Sequence, residues 1–231
     1  MEIKVIYDLL TRMPLLQGIN GLDLARLEEH AGLQIEAVPP LRHPLIRQGQ
    51  TCRELVFLVS GRLVKQMKSA DGVYETQETV AGPTVIEPEK LYGLHCAYSN
   101  SYYCEEECQV MHVEKADVGK YLMKSEIFRM NYLNLISAKV SRLESALQFR
   151  KQGTPLQKVI DFILANFTAD EGEKLLTIKM NDLAEYLDET RLTVSNALNQ
   201  LEASHVVSLR RKEVRIPDIS SLKKYRNEHF S

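Results

Sequence analysis

The sequence lacks the features that mark membrane, secreted and disulfide-stabilised proteins. No run approaches the about eighteen apolar residues that a membrane span requires. Residues 1–4 carry no signal-peptide pattern, so we expect a cytoplasmic protein with no membrane partner. Four cysteines (Cys52, Cys96, Cys104 and Cys108) are too few for a disulfide scaffold in 231 residues, and in the cytoplasm they are expected to be reduced.

The remaining composition is that of a globular protein with more than one part. Hydrophobic residues make up 44% of the chain and charged residues 26%. A length of 231 residues suits two domains better than one. From the order of patterns along the chain we predict a sensor domain over residues 1–120, a dimerisation helix over residues 121–150 and a third domain over residues 151–231.

The first of these parts is rich in strand signals. Residues 1–36 suggest short helices that bury Leu22, Leu24, Leu27 and Ala31, and the character changes at residues 38–40, Val-Pro-Pro. From there to about Val113, turn residues recur every 8–12 residues, which indicates an antiparallel barrel or sandwich. Residues 55–59 predict a buried strand, and residues 71–72, Asp-Gly, predict a hairpin. Such a roll suits a small-molecule pocket.

A long helix follows. Residues 125–149 contain no proline or glycine, and apolar residues recur in the narrow 3-4-3-4 stripe of a coiled-coil seam. A single helix packed on its own domain would also satisfy this pattern, but we favour a dimer interface. Its predicted residues are Leu133, Ile136, Val140, Leu143 and Leu147. Gly153 and Pro155 then break the helix and suggest a hinge.

Two short apolar-periodic segments separated by a tight break dominate residues 175–216. The second has apolar residues at Val194, Ala197, Leu198 and Leu201, the spacing of one buried helix face, and Thr190 suits its N-cap. The pair predicts a helix-turn-helix whose second helix enters the DNA major groove. A small helical packing module with a solvated charge run is the alternative.

The segment after these helices predicts a basic wing. Residues 206–209 and 214–216 suggest two strands joined by Arg210, Arg211 and Lys212, and Arg215 adds to this cluster. Residues 1–120 hold twelve Lys and Arg against seventeen Asp and Glu, whereas residues 174–231 hold ten against eight. This polarity favours an acidic sensor joined to a DNA-binding part.

Six short segments occur in a specific order. They are residues 46–50, 57–61, 71–72 and 81–82 in the strand-rich part and residues 182–187 and 190–198 near the C-terminus. Together they resemble the cyclic-AMP receptor/fumarate-nitrate-reduction (CRP/FNR) family of bacterial transcription regulators over nearly the whole chain. The resemblance implies an α+β fold: an N-terminal antiparallel β-roll like the cyclic-nucleotide-binding jelly roll, a dimerisation helix and a C-terminal winged helix-turn-helix. It also implies a homodimer on double-stranded DNA, RNA polymerase as a partner and an effector in the roll, and no enzyme activity.

The chain departs from the family's cyclic-nucleotide motif. A Gly-Glu pair and a later Arg-Ser/Thr pair hold the nucleotide in that family; here the matching residues are 86–89, Ile-Glu-Pro-Glu, and 100–103, Asn-Ser-Tyr-Tyr, and no arginine lies between Arg62 and Arg129. A buried phosphate favours a bidentate guanidinium. We therefore expect an unidentified small-molecule or redox effector and not cyclic AMP. The candidate pocket residues are Tyr92, His95, Cys96, Tyr102 and Tyr103.

A haem or another redox or metal group is a lesser alternative for the same region. Thiolates and imidazoles at Cys96, Cys104, Cys108, His95 and His112 would suit such a group. However, no Cys-x-x-Cys pattern occurs, and the family's iron–sulfur branch places its cysteines earlier in the chain. We assign no metal ligands and no catalytic residues. A cupin-like metalloenzyme would need paired histidines, and no His-x-His occurs; a regulator without an effector stays open.

The predicted DNA-reading helix also departs from the family pattern. Arg191 is kept, while Leu192 and Asn196 replace the family's Glu and second Arg. Arg binds guanine, Asn prefers adenine and Leu suits a thymine methyl, so we expect an operator different from the usual family sequence. Base contacts are predicted for Arg191, Leu192, Ser195 and Asn196. Phosphate contacts are predicted for Lys179, Thr190, Thr193, Arg210, Arg211 and Lys212.

Overall fold

A computed structural model describes residues 11–22, 25, 35–149, 153–169 and 172–230, with the side chains of residues 145–149 excepted. Of the residues expected to be buried by the predicted early helices, Leu24, Leu27 and Ala31 lie outside the described residues. Leu22 is 74% exposed, so its predicted burial is wrong. The strands are β1 (Ile35–Val38), β2 (Glu54–Ser60), β3 (Arg62–Lys68), β4 (Tyr74–Ala81), β5 (Thr84–Ile86), β6 (Ser101–Cys104), β7 (Cys108–Glu114), β8 (Lys174–Ile178), β9 (Ser208–Arg210) and β10 (Glu213–Ile216). The α-helices are α1 (Lys115–Lys120), α2 (Glu126–Phe149), α3 (Pro155–Asn166), α4 (Met180–Leu187), α5 (Arg191–Ala203) and α6 (Ile219–His229).

The chain divides into two compact units that do not follow sequence order. The first unit comprises Met1–Val64 and Val80–Val140, and the second comprises Lys65–Thr79 and Ser141–Ser231. The tip of the β3–β4 hairpin therefore groups with the C-terminal part of the chain. The three-domain division expected from the sequence stays a prediction.

The first unit is built on a four-stranded antiparallel sheet. Its strand order is β1-β7-β2-β5. Residues 55–59 of β2 are all buried, so both faces of this strand are covered, as the apolar run predicted. The β-branched and aromatic side chains of β2 and β7 form the centre of the core, where Phe57 and Met111 are opposite each other in the register. The predicted antiparallel β fold of this part is confirmed.

The predicted hairpin at Asp71-Gly72 joins β3 to β4. Gly72 has a φ of 72°, a value that glycine adopts without steric cost. The Asp71 carboxylate accepts hydrogen bonds from the Ser69 hydroxyl at 2.6 Å and from the Val73 amide at 3.1 Å. These bonds close the turn in the way that Asp side chains commonly do.

The second unit combines an antiparallel sheet with four helices. Strand β8 pairs with β4 on one side and with β10 on the other, and β10 pairs with β9. Helix α3 begins in a capping box, in which the Thr154 hydroxyl accepts from the Gln157 amide and the Gln157 side chain accepts from the Thr154 amide. The apolar faces of α3, α4, α5 and α6 enclose one core with β8 and β10. No helix in the described part of the chain is both long and apolar enough to cross a membrane.

His112 links three strands of the first unit. Its Nδ1 lies 3.1 Å from Glu54 Oε1 on β2, and its Nε2 lies 3.4 Å from Glu36 Oε1 on β1. The hydrogen bond to Glu54 is the main cause that raises the pKa of His112, and the same bond is the main cause that lowers the pKa of Glu54. The charged pair therefore stabilises the folded state at pH values between the lowered pKa of Glu54 and the raised pKa of His112.

We expect His112→Gln to lower the free energy of unfolding most at about pH 6 and least at about pH 9. The imidazolium contribution is complete below the unfolded pKa of about 6.5 and is lost as the pH rises through the raised folded value. Urea unfolding of both proteins across this pH range measures the difference. A difference that does not change with pH would contradict the assignment.

Candidate nucleic-acid interface

The turn between α4 and α5 has the geometry of a helix-turn-helix. Asp188 follows α4 with a φ of 53° and a ψ of 50°, which is the left-handed conformation expected for this position. The amide of Glu189 donates to the Ala184 carbonyl at 3.0 Å and so closes the end of α4. An Asp tolerates this conformation better than most residues, as the sequence suggested. Only three residues, 188–190, separate the end of α4 from the start of α5.

Two threonines fix the N-terminus of α5. The Thr190 hydroxyl accepts a hydrogen bond from the Thr193 amide at 3.2 Å, which confirms the predicted N-cap. The two hydroxyl oxygens lie 2.7 Å apart. Thr190 is exposed and Thr193 is half-buried. Because the amides of this first turn carry partial positive charge, the end of the helix is suited to a phosphate.

Helix α5 presents opposite faces to the core and to solvent. Val194, Ala197, Leu198 and Leu201 are buried, as the spacing predicted. Arg191 and Asn196 are exposed, Ser195 is half-buried, and Leu192 is 71% exposed. The four predicted base-contact residues therefore share the side of the helix that is not used for packing. An exposed leucine at this place costs solvation in the free protein and is available for contact with an apolar partner.

The wing forms as predicted and gains a third strand that the sequence did not indicate. Strands β9 and β10 are joined by Arg211 and Lys212, and Lys212 has a φ of 66°. Arg210, Arg211 and Lys212 are all exposed. The added strand is β8, which pairs with β10 and anchors the wing to the core.

Arg215 differs from the other cations of the wing. Its guanidinium lies 3.0 Å from Glu173 and 3.3 Å from Glu213, so its charge is compensated within the protein. The sequence grouped Arg215 with the other cations of the wing, and these ion pairs set it apart from them. Lys179, immediately before α4, is exposed, and its Nζ lies 3.9 Å from Asp182. At that distance between exposed groups the ion pair is weak.

Helix α2 carries an apolar stripe on its surface. Leu133 is 58% exposed, Val140 48% and Leu143 55%. Ile136 is half-buried and packs against the core of the first unit, while the side chain of Leu147 lies outside the described residues. The stripe extends toward the helix N-terminus through Met130, which is 51% exposed and which the sequence pattern did not single out. These exposed apolar side chains are available for contact with an apolar partner.

The five candidate pocket residues of the roll lie in different environments. His95 is exposed, Cys96 is half-buried with its thiol directed at the Gly93 carbonyl, and Tyr92 packs edge-on against Tyr132. Tyr103 is half-buried next to the buried Tyr102. The adjacent tyrosines point to opposite faces of β6.

A buried carboxylate that the sequence did not indicate holds this region together. Glu87 is only 7% exposed and has a φ of 36°. It accepts hydrogen bonds from the Tyr102 hydroxyl at 3.1 Å, from the Ser99 amide at 2.7 Å and from the Asn100 side-chain amide. Neutral donors thus satisfy the carboxylate inside the roll.

The four cysteines are free thiols, and burial favours the protonated form of three of them. Burial raises the pKa of Cys52 and Cys108, and it raises the pKa of Cys104 to about 12. A protonated thiol is a poor nucleophile and a poor metal ligand. Across the described residues, no three His, Cys, Asp or Glu side chains lie close enough to hold a metal ion.

Comparison with known proteins gives a family for the C-terminal part and a fold for the chain. Residues 157–225 match the family described as the Crp-like helix-turn-helix domain. The catabolite activator protein of Thermus thermophilus is similar in structure, with a TM-score of 0.51 and 18% identity over 91% of this chain and 97% of that one. A putative transcriptional regulator of the Crp/Fnr family from Eubacterium rectale ATCC 33656 has a TM-score of 0.53 and 14% identity over 93% of this chain and 98% of that one. No curated protein matches in sequence.

The cap of α5 can be tested by stability alone. We expect Thr190→Ala to lower the free energy of unfolding by about 1 kcal/mol, because the Thr193 amide loses its acceptor. Thr190→Ser keeps the hydroxyl and should stay close to the parent protein. Urea unfolding followed by circular dichroism measures both; an equal loss in the two variants would contradict the capping role.

Proposed function

We propose that the protein is a sequence-specific, homodimeric, DNA-binding transcription regulator of the cytoplasm. The proposal is supported by the match of residues 157–225 to the Crp-like helix-turn-helix domain and by the fold that the chain shares with CRP/FNR regulators. It binds a pseudo-palindromic duplex with one α5 helix of each subunit in the major groove. One observation carries this proposal. Helix α5 buries one face in the core, while Arg191, Leu192 and Asn196 are exposed on the rest of its surface.

The proposed base contacts follow from the chemistry of that face. Arg191 binds the O6 and N7 atoms of a guanine, and Asn196 binds the N6 and N7 atoms of an adenine. Leu192 contacts a thymine methyl group, and Ser195 is near enough on the same face to add a hydrogen bond. The expected operator therefore differs from the usual family operator, because Leu192 and Asn196 replace the Glu and the second Arg of the family pattern.

The proposed phosphate contacts surround the base-reading face. Thr190 and Thr193 lie at the positive end of α5, and Lys179 precedes the helix that crosses the DNA backbone. Arg210, Arg211 and Lys212 add charge from the wing. Such contacts fix the register on the duplex and supply affinity without reading sequence.

A second copy of the chain covers the apolar stripe of α2 in this proposal. The exposed side chains of Leu133, Val140 and Leu143 would cost free energy in water, and they follow the spacing of a coiled-coil seam. Ile136 and Leu147 complete the proposed interface. A two-fold pair of subunits matches an operator with two half-sites about 34 Å apart. RNA polymerase is a further partner in this proposal.

The proposed effector of the roll is a small molecule other than cyclic AMP. The donors of Ser99, Asn100 and Tyr102 already bind the side chain of the buried Glu87, so they are not available to a phosphate. No arginine lies between Arg62 and Arg129 to hold a phosphate in their place. Regulation without any effector is the alternative.

Matched arginine variants separate base reading from phosphate binding. We expect Arg191→Ala to cost about 1–3 kcal/mol of operator binding and to relax specificity at one base pair of each half-site. Arg211→Ala should weaken binding to all sequences alike and reduce the salt slope by about 1. Sites selected from random duplex DNA with the parent protein, followed by titration of each variant at several salt concentrations, give both quantities. Identical behaviour of the two variants would contradict these roles.

The proposed dimer seam can be tested with a charge on the stripe. We expect Leu133→Glu to convert the dimer to a monomer in sedimentation velocity and to reduce operator affinity, because a charge would be buried between two apolar faces. Ala138→Glu introduces the same charge at an exposed position on another face of α2. That control should stay dimeric. A monomeric parent protein, or a dimeric Leu133→Glu variant, would overturn the seam.

A further inference from the structure

The β3–β4 hairpin is part of the structural unit that contains the proposed DNA-binding surface. Residues 65–79 cluster with the C-terminal helices, and β4 pairs with β8 from Tyr74, opposite Ile178, to Glu78, opposite Lys174. Both hairpin strands also continue into the first unit, since β3 begins at Arg62 and β4 ends at Ala81. The hairpin therefore belongs to the unit of the helix-turn-helix, although its sequence lies between two segments of the first unit.

A buried carboxylate fixes the base of this hairpin. Glu78 is 4% exposed and accepts from Lys65 Nζ at 2.6 Å. It also accepts from the Thr168 hydroxyl at 2.7 Å and from the amides of Thr168 and Ala169 at 3.0 and 2.9 Å. Such charge-assisted bonds at a buried site are strong, so the base of the hairpin is held firmly against the segment after α3.

The hairpin tip, residues 69–73, reaches the first helix of the helix-turn-helix. The Tyr186 hydroxyl on α4 donates a hydrogen bond to Asp71 Oδ2. The ring of Tyr186 packs edge-on against Tyr74 with centroids 5.5 Å apart, and both rings contact Phe162 of α3. In contrast to Glu78, this contact is exposed to solvent and depends on one hydroxyl, so it can be released at lower cost.

A cavity of about 450 Å³ lies beside this contact. Its lining is mostly charged: Asp71, Val73, Lys179, Asp182, Glu185 and Tyr186. Hydrogen bonds from Ser69 and then Tyr186 lower the pKa of Asp71 to about 2, so its carboxylate is ionised under all ordinary conditions. Lys179, a proposed phosphate contact, therefore faces a space that already holds negative charge. A phosphate that approaches Lys179 is repelled by the carboxylate of the hairpin tip.

From this arrangement we infer that the hairpin tip is an autoinhibitory element: Asp71, held by Tyr186, competes with a DNA phosphate for the surface around Lys179. Asp182 and Glu185 belong to α4 itself, whereas Asp71 belongs to the hairpin tip and is bound to α4 through the Tyr186 hydroxyl. Release of the tip removes one negative charge from the phosphate path and raises DNA affinity. The inference rests on the proposed function, since it assigns a regulation to the same DNA-binding surface.

The test compares carboxylate variants on duplex DNA of mixed sequence. The affinity for a labelled duplex of this kind measures electrostatic binding that does not depend on sequence. The operator therefore need not be known. We expect Asp71→Asn to tighten binding by at least about threefold at low salt, with a gain that shrinks as salt screens the charge. The amide oxygen can still accept from Ser69 and Val73, so the turn is retained; thermal unfolding of each variant checks this.

Three further variants make the test specific. Glu75→Gln removes the same charge from the same hairpin at a residue that pairs with Lys68 and does not line the cavity, so affinity should stay within error. Tyr186→Phe releases the tip but keeps its charge, and a smaller gain is expected. In the double variant Asp71→Asn/Tyr186→Phe the gain should equal that of Asp71→Asn alone, because the hydroxyl acts only through the carboxylate.

The outcomes separate this inference from the proposed function. An equal gain in Asp71→Asn and Glu75→Gln, a loss in Asp71→Asn, or a strictly additive double variant would overturn the autoinhibitory role. If no variant binds the duplex, and Arg211→Ala is indistinguishable from the parent protein, the proposed DNA-binding function itself fails. A gain confined to Asp71→Asn and Tyr186→Phe supports both.

Discussion

Burial of one face of α5 is the interaction on which the proposed DNA-binding surface depends. Val194, Ala197, Leu198 and Leu201 contribute four side chains to the core of the second unit. Each such side chain contributes about 1.5–3 kcal/mol when fully buried, with less for alanine. This packing fixes the orientation of the helix about its own axis. The residues between the buried ones are thereby held outward, so the proposed DNA-binding surface follows from the packing of the core.

Local patterns were enough to predict the elements that depend on neighbours in sequence. The periodicity of α5, its Thr190 cap, the left-handed Asp188 and the Asp71-Gly72 turn each involve residues within about one helical turn or one hairpin. The exposed stripe of α2 belongs to the same class, because 3.6 residues per turn fix which side chains share a face. The sequence therefore sufficed for the helix-turn-helix, the wing and the antiparallel fold.

Features that depend on distant partners escaped the sequence. Strand β8 is held by β4, about a hundred residues earlier, and by β10, about forty residues later, and its own five residues carry no clear alternation. Glu87 and Glu78 are acidic residues in β-rich segments, where an exposed position is the usual expectation. Arg215 is a cation close to the basic wing in sequence, and the pairing of β10 with β8 brings it to Glu173, about forty residues earlier. All of these contacts join residues that are far apart in the sequence, and composition does not encode them.

The pairing of β4 with β8 also bears on how this protein can be handled. A fragment cut out at a single point in the chain, such as residues 141–231, would take β8 away from its partner strand and leave a row of backbone donors and acceptors open along one edge. Tyr74, which packs on Phe162, would be missing from that fragment as well. An open strand edge of this kind can pair with a strand of another molecule. The unit that contains the helix-turn-helix is therefore discontinuous in sequence. A protein truncated before residue 141 would tend to associate through the open edge of β8.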